Sequence, residues 1–153
     1  MLNMLTFRSS MCSALRLNWC VSGGVPAERI PDDFPFAWAR KTLERYLQIR
    51  ECYYGDFYPI TSYSKAADGW MACQLDRPDL GNGVVIVLRR PDSPYESARF
   101  PLRGPDPAGR YRVRDIDGKR PEATRAGKQL LTEGLRVQVE DRPGSAVVLY
   151  QRQ

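Results

Sequence analysis

One count limits the side chains able to do chemistry: the chain has no histidine. That removes Ser-His and Cys-His nucleophile pairs, an imidazole base and His-ligated zinc. Any catalysis falls to Asp, Glu, Tyr, Lys or Arg. Three carboxylate pairs stand close in sequence: Asp32-Asp33, Asp76 with Asp79, and Asp115 with Asp117. A retaining glycosidase needs two carboxyls about 5–5.5 Å apart across a sugar. Asp115 and Asp117 have the i, i+2 spacing that places two side chains on one face of a strand. Asp117-Gly118, however, is also a strong hairpin-turn signal. Asp32-Asp33 reads as a helix start, where carboxylates cap amides and suit the dipole. None of the pairs sits in a context expected to raise one pKa against the other.

Cys12, Cys20, Cys52 and Cys73 form no CxxC and sit among apolar or aromatic residues. They read as buried free thiols in a reducing compartment rather than as a metal knuckle. Gly81-Asn82-Gly83 has no following helix and no lysine placed for phosphate, so it reads as a hairpin turn. Ser22-Gly23-Gly24 is too short for a dinucleotide fingerprint. The expectation is therefore no metal and no cofactor. Tyr53, Tyr54, Phe57, Tyr58, Tyr63 and Trp70 cluster in sequence. Such rings stack on a sugar or nucleobase, or pack between a helix and a sheet.

The elements that must position these residues are bounded by size. A length of 153 residues favours one domain or a domain plus an appendage. It is too short for a complete (β/α)8 barrel, which needs about 250. Hydrophobic residues make up 42 % and charged ones 27 %, which excludes collagenous, disordered and coiled-coil chains. The longest apolar run, Val84 to Leu88, has the length of a buried strand, not of a membrane span. Met1 to Phe7 lacks a basic flank and a sufficient apolar core for a signal peptide. A cytoplasmic location without membrane contact is expected.

Net charge is +5, and residues 61–153 hold sixteen of the 23 basic side chains and twelve of the 18 acidic ones. In Arg110-Tyr111-Arg112-Val113-Arg114 the arginines alternate with apolar residues, which puts them on one strand face. A solvated sheet face and a patch for an anionic partner both fit. Asp92, Glu96, Asp115 and Asp117 nearby weigh against nucleic acid, and no nucleic-acid partner is expected.

Residues 1–12 read as a short helix or buried segment. Ala14 to Trp19 alternates as a strand. Phe34 to Cys52 has helical spacing, with Phe36, Ala39, Leu43, Tyr46 and Leu47 on one stripe and Trp38, Thr42, Arg45 and Ile49 on a second. A helix so broadly apolar needs cover on more than one side. Past Gly55 the pattern changes to short period-2 runs, and nine of the twelve prolines lie from Pro59 onward. Strands are predicted at Phe57–Ile60, Trp70–Leu75, Val84–Arg89, Ala98–Leu102, Tyr111–Asp115, Leu135–Glu140 and Val147–Gln151, with a helical turn over Ala123 to Leu131. The fold class is mainly β, an antiparallel β-sandwich.

The order of segments carries a resemblance. Gly55-Asp56-Phe57-Tyr58-Pro59-Ile60-Thr61-Ser62-Tyr63 follows an amphipathic helix. Trp70-Met71-Ala72 and Gln74-Leu75-Asp76-Arg77-Pro78 come next, and then Val87-Leu88-Arg89-Arg90-Pro91-Asp92-Ser93-Pro94-Tyr95. Tyr111-Arg112-Val113 with Asp115-Ile116-Asp117-Gly118, and Gly127 and Leu130 before Gly134-Leu135, continue the order. This resembles the C-terminal portion of α-galactosidase-like enzymes, the melibiase group of glycoside hydrolase families 36 and 27. The resemblance implies that residues 1–58 are the C-terminal fragment of a (β/α)8 barrel. The eighth strand would lie at about 14–19 and the eighth helix at about 34–52. Residues 59–153 would form the antiparallel β-sandwich domain. It places the family's catalytic aspartates on earlier barrel strands, so no residue here is assigned a catalytic role. Trp19, at the end of the barrel strand, becomes the candidate substrate-binding residue.

The expected function is the scaffolding C-terminal part of an enzyme acting on α-galactosidic or related bonds, inactive by itself. The alternative is a stand-alone carbohydrate-binding or scaffolding β-sandwich module. The expected partner is carbohydrate in the full enzyme, with self-association through the exposed barrel remnant.

Overall fold

The computed structural model describes residues 4–11, 21–22, 25–26 and 32–153. The predicted strand over 14–19, with Trp19, lies outside them, as do Cys12 and Cys20. Helix α1 (Met4–Ser9) opens the described chain, followed by the two-residue strands β1 (Val21–Ser22) and β2 (Val25–Pro26). Helix α2 (Phe36–Leu47) and a 3-10 turn (Arg50–Tyr54) come next, then β3 (Asp56–Pro59), β4 (Trp70–Arg77), β5 (Asn82–Arg89), β6 (Ser97–Phe100) and β7 (Arg110–Asp115). The chain ends with β8 (Ala123–Ala126), α3 (Gly127–Thr132), β9 (Leu135–Gln138) and β10 (Gly144–Arg152). A six-stranded sheet has the order β3-β4-β5-β10-β7-β8, and β6 pairs with β9 in a second sheet. Every pairing in these two sheets is antiparallel.

The apolar run in β5 follows from its place inside the large sheet. Val85 and Val87 face the two-stranded sheet and pack with Phe100, Leu135 and Val137. Val84 and Ile86 face the other way, toward Phe7, Met11, Ile49 and Cys52. Both faces of the strand are covered, so alternation gives way to a continuous run. Val84 to Val87 are all 0 % exposed, and each such side chain contributes about 1.5–3 kcal/mol of burial. The fold is thus mainly β and antiparallel. One face of the large sheet carries β6, β9 and α3, and the other carries α1, α2 and the 3-10 turn.

A buried arginine ties the layers together. Arg89 is 3 % exposed at the end of β5. Its Nη1 donates to the carbonyls of Val139 at 2.8 Å and Glu140 at 2.9 Å, and its Nη2 to Ser93 O at 3.0 Å. The planar guanidinium spans three carbonyls that β-sheet pairing leaves without donors. Arg90 beside it donates outward, to the carbonyls of Ser64 (2.6 Å) and Ala66.

Several expectations need correction. Residues 123–131 are not one helical turn: 123–126 add strand β8 to β7, and the helix begins at Gly127. α2 ends at Leu47 rather than Cys52, because the chain tightens at Ile49, which is fully buried. Asp32 and Asp33 do not cap α2; its N-cap is Pro35, with no side-chain cap. Pro35 has no N–H to satisfy, and the first helical amide, Phe36 N, donates to Phe34 O at 2.8 Å.

Candidate functional site

Three strands bring one polar cluster into the core. Asp76 on β4, Gly83 on β5 and Tyr150 on β10 are cross-strand neighbours in one row. Gln74 lies two residues before Asp76, on the same inward face. Tyr150 Oη donates to Asp76 Oδ1. Gln74 Nε2 donates to Tyr150 Oη and to Arg103 O, both at 2.6 Å, and Gln74 Oε1 accepts from Arg103 N at 2.9 Å. Glycines make the room: a Cβ at Gly83 would lie 2.1 Å from Tyr150 Oη, and one at Gly104 2.1 Å from Asp76 Oδ2. Gly83 therefore does more than complete the turn read from Gly81-Asn82-Gly83.

Burial pushes the Asp76 carboxyl above its ordinary pKa, against the lowering effect of the Tyr150 hydrogen bond. Burial, and then the bond to Asp76, push the Tyr150 hydroxyl up. For the Asp76 and Asp79 pair this corrects the expectation that no pair sits where one pKa is raised against the other. Asp76 is 3 % exposed and Tyr150 1 %. A group sealed this far from solvent cannot meet a substrate, so the cluster pins β4, β10 and the loop at Arg103-Gly104 in register.

Asp32 and Asp33 lie exposed in a turn before α2, and Asp79, Asp115 and Asp117 are held by arginines. Asp117 pairs with Arg8 at 2.7 Å and with Arg45 at 3.0 Å. Asp115 pairs with Arg120 at 2.9 Å and accepts from Asp117 N at 3.0 Å. Arg8 also donates to Ser145 O at 3.1 Å. The Asp115–Gly118 corner is a turn, closed by Gly118 N to Asp115 O at 3.1 Å, and it docks α1 and α2 onto the sheet. Asp79 pairs with Arg77 at 2.7 Å, and that hydrogen bond holds its carboxyl below the ordinary range. Asp115 and Asp117 are each tied to arginine and Asp76 is sealed in the core, so neither pair presents the two unpartnered carboxyls that a glycosidase sets across a sugar.

The aromatic cluster in the sequence divides in space. Tyr53 packs on Tyr46 at 5.7 Å and donates to Met11 O. Trp70 packs on Phe100 at 6.1 Å. Tyr58 lies under the Arg103 guanidinium at 5.8 Å. Tyr54 and Tyr63 are exposed, at 76 % and 86 %. The rings are spread over several sites and make no single stacking platform. Cys52 and Cys73 are buried, and burial raises the Cys52 thiol to about 11. Among the described residues no His, Cys, Asp and Glu group could hold a metal ion, and no helix is long and apolar enough to cross a membrane.

An open cleft lies elsewhere. It has a volume of about 580 Å³ and runs between β8 and β9 beside α3, within the range of ligand clefts, about 300–1,000 Å³. Val113, Leu130 and Val148 line its floor, and Arg99, Arg120, Arg125 and Arg136 its walls. The exposed β7 arginines face away from it. Arg112 reaches Gln151 at 3.4 Å and Arg114 reaches Gln48 at 3.2 Å, as expected of a solvated strand face. Sequence reasoning missed Gln74, Tyr150, Arg8, Arg45 and Arg89. The one available signal was a polar residue at an inward-facing position of a period-2 run.

No protein-family model matches the sequence, and no curated protein does. Solved structures do match. The GH36 alpha-galactosidase AgaB of Geobacillus stearothermophilus aligns at TM-score 0.61 and 18 % identity over 80 % of this chain and 16 % of that one. An alpha-galactosidase of Lactobacillus brevis aligns at 0.62 and 18 % over 83 % of this chain and 18 % of its own. A variant of the GH36 alpha-galactosidase AgaA of Geobacillus stearothermophilus, in complex with 1-deoxygalactonojirimycin, aligns at 0.65 and 15 % over 83 % and 17 %. The likeness agrees with the resemblance read from the motifs. This chain has the fold of one part of the GH36 alpha-galactosidases and spans less than a fifth of their length.

Proposed function

We propose that this chain is the C-terminal, sandwich-bearing part of an α-galactosidase-like glycoside hydrolase, and that it serves as scaffold rather than as the reacting centre. The observation that carries the reading is the agreement of two independent lines. The motif order from Gly55 to Leu135 resembles that enzyme group, and the fold aligns with its members over four-fifths of the chain. Residues 1–58 then form the end of a (β/α)8 barrel, with Trp19 near the sugar, and residues 59–153 form the β-sandwich domain. The full enzyme acts on α-galactosidic or related bonds by double displacement between two carboxylates outside this chain. The state of the carboxylates here supports that division: each pair is buried, or neutralised by arginine, or set in a turn.

The test is an assay of the purified chain with an aryl α-galactoside. No turnover is expected; turnover at rates typical of enzymes would overturn the scaffold reading. Calorimetric titration with galactose and α-galactosides separates the stand-alone module. No heat of binding is expected, whereas tight saturable binding lost in Trp70→Ala would favour that module.

A further inference from the structure

The cleft between β8 and β9 has a feature that neither the fold nor the proposed scaffold role requires. Val139 N donates to Glu96 O at 2.8 Å, and the pair lies in register with the β6–β9 ladder. In an antiparallel pair the ladder bonds fall on alternate residues, so β9 bonds β6 through Leu135, Val137 and Val139. The N–H and C=O groups of Arg136 and Gln138 therefore point to the other edge of β9, into the cleft. Arg120 Nη1 donates to the Gln138 carbonyl there, which confirms the direction. The remaining outward groups, both from Arg136 and the N–H of Gln138, form a short unpaired strand edge.

The charge of this edge is equally one-sided. Arg99 and Arg136 stand directly opposite each other across β6 and β9, an arrangement that destabilises the pair unless an anion lies between or beside them. Among the described residues neither has a carboxylate within ion-pair distance, and the same holds for Arg125 on β8. Asp115 in the cleft is already taken by Arg120, which leaves Glu133 as the free acid on its lining.

We propose that this cleft takes an extended acidic peptide segment, which adds as a strand to the Arg136–Gln138 edge and sets its carboxylates against Arg99, Arg125 and Arg136. The backbone edge supplies main-chain bonds, as in β-strand addition. The arginines supply the preference for acidic sequence and a dependence on salt. The surface lies on the two-stranded-sheet side of the molecule, away from α1 and α2, so its occupation does not depend on the glycosidase reading.

The experiment uses the full chain and a fluorescent peptide of alternating glutamate and valine, read by anisotropy. Binding is expected, weakening as NaCl rises from about 50 to about 300 mM. The lysine–valine peptide is expected not to bind. A glutamate peptide with proline replacing every valine is expected to lose binding, because it cannot complete the strand ladder. The Arg99→Glu/Arg136→Glu chain is expected to bind at least about tenfold more weakly. Amide shifts of the ¹⁵N-labelled wild-type chain are expected to concentrate at 123–126 and 134–138, a readout that needs no variant to fold. Failure of the glutamate peptide to bind, equal binding by the proline peptide, or shifts centred elsewhere would each overturn the proposal. So would binding of heparin with none of the peptide, which would make the cleft a site for sulfated polysaccharide.

Discussion

At the residue scale, the side chains with perturbed chemistry hold the fold together. Asp76 is the clearest case. Its folded pKa is raised, chiefly by burial, so the folded chain holds the proton more tightly than the unfolded chain. Stability then falls as pH rises, from the ordinary carboxylate pKa up to the folded one, and levels off above it. The loss amounts to about 1.4 kcal/mol for each unit of separation. Urea denaturation across pH should show this decline in the wild-type chain. Asp76→Asn keeps an acceptor for the Tyr150 hydroxyl and removes the titration, so its profile should be flatter over the same window. A parallel decline in both chains would mean that other groups set the slope. The period-2 pattern ends the predicted strand at Leu75, so the sequence places Asp76 neither on β4 nor in the core. Its inward face is decided by Gly83 and Tyr150, which come from strands distant in the chain.

At the element scale, the legible parts were those fixed by local pattern. β4, β5, β7 and β10 announce themselves by apolar alternation or by a continuous apolar run, and they form the centre of the large sheet. The sequence pattern over β8 predicts part of a helical turn. Ala123-Thr124-Arg125-Ala126 is an edge strand with little buried surface, so pairing with β7 defines it rather than its own composition. The extent of α2 escapes the helical pattern for a related reason: burial of Ile49, not helical periodicity, decides where the chain tightens. The candidate site was less legible still, because an unpaired strand edge depends on ladder phase and no sequence pattern reports it. Loop glycines offer a direct measure of such tertiary constraint. Gly104 and Gly118 have φ of +87° and +67°, so alanine at either costs roughly 1–2 kcal/mol of left-handed strain. At Gly118 a Cβ meets nothing within 4 Å, whereas at Gly104 it meets the Asp76 carboxylate. Gly104→Ala should therefore lose markedly more stability in thermal and urea melts than Gly118→Ala. Equal losses would mean that the Asp76 side chain moves aside freely.

At the scale of the whole molecule, the packing of α2 bears on what surrounds this chain. The helix buries Ala39 and Thr42 and lays Trp38 and Tyr46 on the core, yet Phe36 is 60 % and Leu47 54 % exposed. Eleven residues separate them, about three helical turns, so both lie along one outer stripe of α2. Tyr54 and Phe57, further along the chain, are exposed as well. Several large apolar side chains left exposed on one segment are what an interface leaves when its partner is removed. In the proposed enzyme the rest of the barrel covers it; in the isolated chain another copy is the available cover. Light scattering coupled to size exclusion should therefore find mass rising with concentration for the wild-type chain. Phe36→Glu/Leu47→Glu should shift it to monomer with an unchanged circular dichroism spectrum, because neither side chain belongs to the core. A wild-type chain that stays monomeric at high concentration would show that this stripe does not drive association. The stripe would then offer no support for a missing barrel layer.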